Sequence, residues 1–297
     1  MVKILDGKKL SEVIAGELAL KISKLKVKPV LAIIQIGNDP GSNSYISRKK
    51  SYGEKIGAKV HHFALPNNVS NNSLIKFIKE LNDRKDIHGI IVQLPIPKTL
   101  NKYEIMEAID HRKDVDGLNS KNTNILYESP FENSDAKKNP KGLVPATAKG
   151  IITLLKKNNI SLVGKKVLIV GRSVLVGKPT AMLFIAEDST VTVAHTKTKD
   201  LAKLAKESDI IVSAAGKAGL INKNFFRKGQ VIIDVGTNSV SGPKTIEESS
   251  KIKMVGDVDF EAAKKIVSAI SPVPGGVGPM TVASLFENLF EAYNLQK

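Results

Sequence analysis

The sequence predicts an α/β fold: two α/β lobes around a cleft, the second a Rossmann-like doubly wound parallel sheet. Three observations carry this expectation. Short apolar runs alternate with stretches of helical period. A polar, proline-bearing interval from Asn119 to Gly142 separates one such series from a second. The second series opens on KKVLIVG, which runs directly into the glycine-bordered turn GRSVLVGKP. Apolar runs of about four to eight residues between helices read as parallel strands covered on both faces.

In the first series, Leu10, Val13, Ile14, Leu18, Ile22 and Leu25 recur every three or four residues and give one helix an apolar face. Pro29 opens the strand PVLAIIQIG, followed by a helix over Ser42–Ile56, the strand AKVHHFAL, the helix LIKFIKEL and the strand GIIVQLP. The stretch YESPFENSDAKKNPKG has no period and reads as a surface loop near a domain boundary. Ile151, Ile152, Leu154 and Leu155 mark a linking helix. The second series is KKVLIVG, a helix from about Lys178, TVTVAH, a helix at LAKLAKE, IIVSAA, VIIDVG and KMVGDV. The amphipathic TVASLFENLFEAYNL is expected to pack back on the first lobe. The expected domains are therefore 1–142, completed by a C-terminal helix at about 278–297, and 143–277.

The chain has 297 residues and no cysteine. That excludes a disulfide framework, thiol nucleophiles and cysteine-ligated metals. The beginning, MVKILDGKKLSEVIAG, lacks a signal-peptide pattern, and no apolar run approaches spanning length, so a cytoplasmic protein is expected. Lys+Arg 45 against Asp+Glu 29 leaves +16. The lysines are spread along the whole length, with no arginine-rich block, so the excess reads as solvated helix faces rather than a nucleic-acid footprint.

Gly171 falls where a strand turns sharply, Gly177 where a helix must start close to a ligand, and Pro179 in that helix's first turn. A glycine-bordered helix N-terminus suits a pyrophosphate, although the spacing departs from G-x-G-x-x-G and a packing turn accounts for it equally well. The next strand ends VAHTKTK and offers no carboxylate before Asp200, where an NAD site places one for the ribose. Arg172 and the Thr196 hydroxyl instead suit a 2′-phosphate, so NADP is favoured over NAD.

In the first series, Tyr45 and Lys49 lie four apart on a helix and project from one face. Their Tyr-x-x-x-Lys spacing precedes the glycine turn, the reverse of the order in short-chain dehydrogenases. Gln93 ends an apolar strand, the edge where α/β sheets place ligands. Asp114 and Asp116 in DVDGLN admit a turn role or a functional one. His61, His62, His88 and His111 show no metal spacing, and no metal site is expected. SPVPGGVGPMT, residues 271–281, is a rigid loop whose backbone suits close approach to a flat ligand.

Together Tyr45–Lys49, HGIIVQLP (88–95), KDVDGLN (113–119), GRSVLVGKP (171–179), VIIDVG (231–236), GDVDF (256–260) and PGGVGPMT (274–281) resemble the bifunctional methylenetetrahydrofolate dehydrogenase/cyclohydrolase family. The matches keep family order and run nearly end to end. The resemblance implies oxidation of 5,10-methylenetetrahydrofolate with NADP, then hydrolysis to 10-formyltetrahydrofolate, by a homodimer. It implies that Lys49 is the general acid/base, Gln93 orients it, Tyr45 stacks on the folate and Asp116 hydrogen-bonds the pterin. It also implies that Ser42, Val92 and Leu94, with Pro272, Val273, Pro274, Gly275, Gly276, Val277, Gly278, Pro279 and Met280, frame the folate pocket. Gly171, Arg172, Ser173, Thr196 and Thr237 map onto the NADP site, so residues 1–142 become the folate-binding lobe and 143–277 the NADP lobe. Three departures stand out: Pro145-Ala146-Thr147-Ala148 where members commonly carry Pro-Cys-Thr-Pro, Thr237 in place of isoleucine, and a long loop from Tyr127 to Lys141. A shikimate-dehydrogenase-like oxidoreductase shares the two-lobe plan, but the order of Tyr45–Lys49, Gln93 and PGGVGPMT argues against it.

Overall fold

A computed structural model describes residues 1–128, 142–241 and 252–297. The chain opens with β1 (Lys3–Ile4) and α1 (Gly7–Ser23), then alternates β2 (Val30–Ile36), α2 (Pro40–Ile56), β3 (Lys59–Leu65), α3 (Asn71–Asp83) and β4 (Gly89–Val92). Three helices follow, α4 (Lys102–Ala108), α5 (Ser120–Glu128) and α6 (Ala146–Lys157). A second alternation runs β5 (Lys166–Val170), α7 (Gly177–Ala186), β6 (Thr190–Ala194), α8 (Leu201–Glu207), β7 (Ile210–Ser213) and β8 (Val231–Asp234). The chain closes with β9 (Asn238–Ser241), β10 (Ile252–Val255), α9 (Phe260–Lys264), β11 (Ala269–Ile270) and α10 (Val277–Leu295). No helix of the described residues is long and apolar enough to cross a membrane.

The chain divides into two compact units, residues 11–146 with 282–297, and residues 1–10 with 147–281. The first unit holds a parallel three-stranded sheet in the order β3-β2-β4. All seven residues of β2 are buried, as a central strand covered on both faces requires. Val30, Ala32, Ile34 and Ile36 share one face and pack with Leu74, Ile78 and Leu81 of α3 and Ile105 and Met106 of α4. From α10, Phe286 stacks on Tyr52, and Asn288 Nδ2 donates to the carbonyls of Val115 and Val144.

The second unit is a six-stranded parallel sheet in the order β1-β11-β8-β7-β5-β6. β6 lies on one side of β5 and β7 on the other, so the winding reverses there. In such sheets ligands bind beyond the strands' carboxyl ends at that switch point.

Four expectations are corrected. Residues 1–10 group with 147–281 rather than with the residues that follow them, because β1 pairs in parallel with β11: Lys3 opposite Ala269, Ile4 opposite Ile270. KMVGDV does not continue the parallel series. Its β10 pairs antiparallel with β9 in a separate two-stranded ribbon, and β11 takes the sheet position beside β8. The expected irregular stretch after Asn119 begins with a helix, α5, whose Leu126 is buried. The remaining boundaries shift by four residues each: 143–146 group with the first unit and 278–281 with the second. The long loop expected from Tyr127 lies, from residue 129 to 141, outside the described residues.

Candidate active site

In the first unit, helix α2 carries candidate groups. The Asp39 carboxylate accepts from Ser42 N at 2.7 Å and caps the helix, Pro40 occupies its first turn, and Gly57 ends it with φ 77°. Its buried face carries Ser42, Ile46, Lys49, Gly53 and Ile56, a helical spacing in which one position is a lysine. Lys49 is only 7% exposed, an unusual place for an ammonium ion. Its Nζ donates to Gln93 Oε1 at 2.9 Å, and Gln93 Nε2 donates to the Leu94 carbonyl at 2.8 Å. Gln93 therefore presents its oxygen to the amine by having its nitrogen occupied. The Gln93 backbone N–H donates to the Ile34 carbonyl at 2.8 Å, which pins the residue one step beyond β4. Ser42 Oγ donates to the Leu94 carbonyl at 3.4 Å, joining the same loop to the helix. Tyr45 is half-buried one turn before Lys49, with the Arg48 guanidinium 5.5 Å from its ring centroid.

The KDVDGLN segment divides its labour. Lys113 Nζ donates to the carbonyls of Asn82 at 2.6 Å and Arg84 at 2.7 Å, capping the end of α3. Asp114 is buried and accepts from Gly117 N at 3.1 Å, Asn119 N at 2.7 Å and Asn122 Nδ2 at 2.9 Å. Burial pushes its carboxyl up to about 7, against the hydrogen bonds from Asn119 and Asn122. Asp114 thus takes the turn role. Asp116, two residues on, is the carboxylate that interacts with Lys49. Burial lowers the Lys49 pKa while Asp116 raises it; burial raises the Asp116 pKa while Lys49 lowers it. Each group offsets part of the burial penalty on the other's charge, and burial remains the larger effect on both.

Val92 lies in the apolar cluster and is 2% exposed, and Leu94 packs partly against the same cluster. The histidines are structural where they are buried: His88 Nδ1 accepts from Val30 N at 3.1 Å.

In the second unit, Gly171 ends β5 with φ 126°, and a methyl group there would collide with the Ala214 carbonyl at the end of β7. For Gly177 the structure shows the packing reason. A methyl group on it would collide with the Gly171 carbonyl, so the close approach is to the protein's own backbone. Ser173 Oγ accepts from Val176 N at 3.1 Å and Gly177 N at 3.4 Å, bracing the turn that leads into α7. Arg172, Ser173, Thr196 and Thr237 are all exposed at the carboxyl ends of β5, β6 and β8.

The proline–glycine loop lies in this unit too. Pro272, Val273, Gly275, Gly278 and Pro279 are half-buried and Pro274 is exposed; Gly276, Val277 and Met280 are buried. No local pattern indicates what holds it. Lys8 N donates to the Gly275 carbonyl at 2.8 Å, and a side chain on Gly7 would strike the Gly276 carbonyl. The beginning of α1 is thus a buttress for the loop.

Residues 5–116 match the family model for the tetrahydrofolate dehydrogenase/cyclohydrolase catalytic domain, and residues 145–297 the model for its NAD(P)-binding domain. The chain belongs to this tetrahydrofolate dehydrogenase/cyclohydrolase family. The bifunctional protein FolD of Lactobacillus acidophilus is 43% identical over 291 residues, covering 97% of this chain and 95% of the relative. That of Ligilactobacillus salivarius is 41% identical over 291 residues at the same coverage. Among solved structures, the bifunctional FolD methylenetetrahydrofolate dehydrogenase/cyclohydrolase of Campylobacter jejuni is 39% identical with TM-score 0.90, covering 99% of this chain and 100% of that one. The Trypanosoma brucei FolD, solved with NADP cofactor and an inhibitor, is 33% identical with TM-score 0.91, covering 99% and 98%. A Listeria monocytogenes shikimate 5-dehydrogenase, 14% identical with TM-score 0.50, shares the fold alone.

The family-matching segments of this tetrahydrofolate dehydrogenase/cyclohydrolase member therefore mix chemistry with scaffolding. Lys49 interacts with Gln93 and Asp116, whereas Lys113 and Asp114 bond backbone groups and Gly177 packs against backbone. The Pro145–Ala148 departure leaves the helix start intact: α6 begins at Ala146, Ala146 and Ala148 are buried, and Thr281 Oγ1 donates to Thr147 Oγ1 at 3.3 Å.

Proposed function

We propose that Lys49 is the proton-transfer residue of a bifunctional enzyme that oxidises 5,10-methylenetetrahydrofolate with NADP and hydrolyses the 5,10-methenyl product to 10-formyltetrahydrofolate. The observation that carries the reading is the buried Lys49 amine, donating to Gln93 at 2.9 Å and electrostatically coupled to Asp116, in a chain of this family. The turn at Gly171 and the exposed Arg172, Ser173, Thr196 and Thr237 fit a phosphorylated dinucleotide, with a guanidinium and a hydroxyl suited to a 2′-phosphate. NADP, when bound, accepts the hydride. The protein's share of that step is to orient the donor carbon, for which no strong acid is needed.

Hydrolysis needs a proton carrier. Water adds to the bridging carbon, and Lys49 Nζ, as free amine, takes up its proton. The new hydroxyl then loses its proton to solvent as it becomes the formyl C=O, the bond from that carbon to N5 breaks, N5 takes the proton held by Lys49, and the formyl group stays on N10; one proton is released overall. Burial lowers the Lys49 pKa and so makes the free amine easier to reach than in a solvated lysine. Gln93 aims it, Tyr45 supplies a stacking surface, Asp116 bonds the pterin, and Ser42, Leu94, the backbone at Val92 and the segment Pro272–Met280 complete the folate contacts. The family resemblance also supports a cytoplasmic homodimer whose product feeds purine biosynthesis. The direct test is NADPH formation from methylenetetrahydrofolate, run beside NAD; turnover with NADP is expected, and shikimate oxidation without folate turnover would overturn the reading.

Asp116 gives a second test. Its charge raises the Lys49 pKa, so Asp116→Asn removes that support and the amine loses its proton more readily. The acid limb of the hydrolysis pH–rate profile is expected to move to lower pH, alongside a fall in rate from the lost pterin contact. A limb that stays or moves upward contradicts the coupling.

A further inference from the structure

Two buried aspartates of the second unit's motifs remain outside this chemistry, Asp234 of VIIDVG and Asp257 of GDVDF. We infer that Asp257 is a positioning residue for the dehydrogenase half of the reaction, setting the cofactor-facing loops after β7 and β8 through one carboxylate. The inference rests on the proposed NADP assignment of Thr237.

Asp257 Oδ2 accepts from Ala215 N at 2.7 Å, Gly216 N at 3.1 Å and Ser213 Oγ at 3.2 Å. Its Oδ1 accepts from Lys217 N at 2.8 Å and Asn238 Nδ2 at 3.0 Å. Three successive backbone N–H groups, with Gly216 at φ 64°, form a concavity of the kind that binds anions, and here the protein fills it with its own carboxylate. The fifth donor, Asn238, belongs to the other loop. Thr237 lies between Asn238, held by Asp257, and Gly236, whose N–H donates to Asp234 Oδ1 at 2.9 Å. Asp234 also accepts from Asp257 N at 2.9 Å and Val258 N at 2.9 Å, so it fixes the segment that carries Asp257. Gly236 has no room for a side chain, because a methyl group would collide with the Asp257 carboxylate. Both loops leave the carboxyl edge of the sheet next to the switch point, where Gly171 abuts Ala214. An amide in place of Asp257 would turn an N–H₂ group toward backbone N–H donors, and one loop would have to move.

The test compares Asp257→Asn and Asn238→Ala with the parent, in the full-length protein, measuring KM and kcat for NADP and for methylenetetrahydrofolate, direct NADP binding, and methenyltetrahydrofolate hydrolysis. Asp257→Asn is expected to raise the KM for NADP about tenfold. Asn238→Ala, which keeps the carboxylate, is expected to raise it about threefold. The folate KM and the hydrolysis rate should stay within about twofold in both. In the double variant the effect of Asn238→Ala should disappear, because it acts through Asp257. An unchanged NADP KM in Asn238→Ala, or a parallel loss of hydrolysis in that variant, overturns the inference even if Asp257→Asn fails to fold. A parent that does not bind NADP at all overturns the cofactor assignment instead, so the two failures are distinguishable.

Discussion

Lys49→Ala is expected to cut methenyltetrahydrofolate hydrolysis by about 10²–10⁴-fold, the range for a lost general acid/base, while folate-dependent NADP reduction stays measurable. The asymmetry follows from what each step asks of the protein. Hydrolysis needs a group that takes a proton from water and gives one up, and Lys49 is the amine held in position by Gln93 at 2.9 Å. Hydride transfer needs geometry, which the amine influences only as a contact. Lys49→Arg sharpens the test: it keeps a positive charge on a long side chain, but the guanidinium cannot deprotonate. It should therefore fail in hydrolysis nearly as badly as alanine. Both activities are read from the same preparation by following NADPH formation and methenyl decay. Equal survival of the two activities in Lys49→Ala would refute the assigned role.

The second large effect is expected at Gly171. Gly171→Ala places a side chain at φ 126° and into the Ala214 carbonyl, combining backbone strain with a collision between two strand ends. Strain of this kind costs about 1–3 kcal/mol, and the collision adds to it because a carbonyl fixed in a parallel sheet has little room to give. A total of about 3 kcal/mol or more is expected, with loss of NADP binding. Gly219→Ala is the control. Gly219 also has a left-handed backbone, φ 65°, but nothing lies within 4 Å of where its methyl group would be. It should cost about 1 kcal/mol and leave cofactor binding intact. Urea unfolding and NADP titration of both variants decide the matter: equal destabilisation would show that the collision contributes nothing. Hydrolysis should persist in folded Gly171→Ala, since Lys49, Gln93 and Asp116 belong to the other compact unit.

The strands β2, β4, β5, β7 and β8 were legible because each is a short apolar run that a parallel sheet buries on both faces. Lys49 was legible as a candidate only together with Tyr45 and the motifs farther along the chain. An isolated lysine on a helix is ordinarily solvated, and nothing local shows that position 49 shares the buried face of Ile46 and Gly53. The DVDG segment shows the opposite limit. Asp114 and Asp116 are the same residue type two apart, and only the placement of Asn119 and Asn122 makes one the organiser of the turn and leaves the other to Lys49.

Periodicity and residue type, which are local, determined the parallel α/β character of this protein, its glycine turn and the kinds of groups its chemistry uses. Tertiary structure alone decided that the first ten residues complete the second unit's sheet and brace the Gly275–Gly276 backbone, that Gly177 is small for the sake of Gly171, and that Asp257 ties two loops together. The physical reason is separation along the chain. Lys3 N donates to the Ser268 carbonyl, and Ala215 N to the Asp257 carboxylate, through hydrogen bonds whose partners are too far apart in sequence to impose any local pattern.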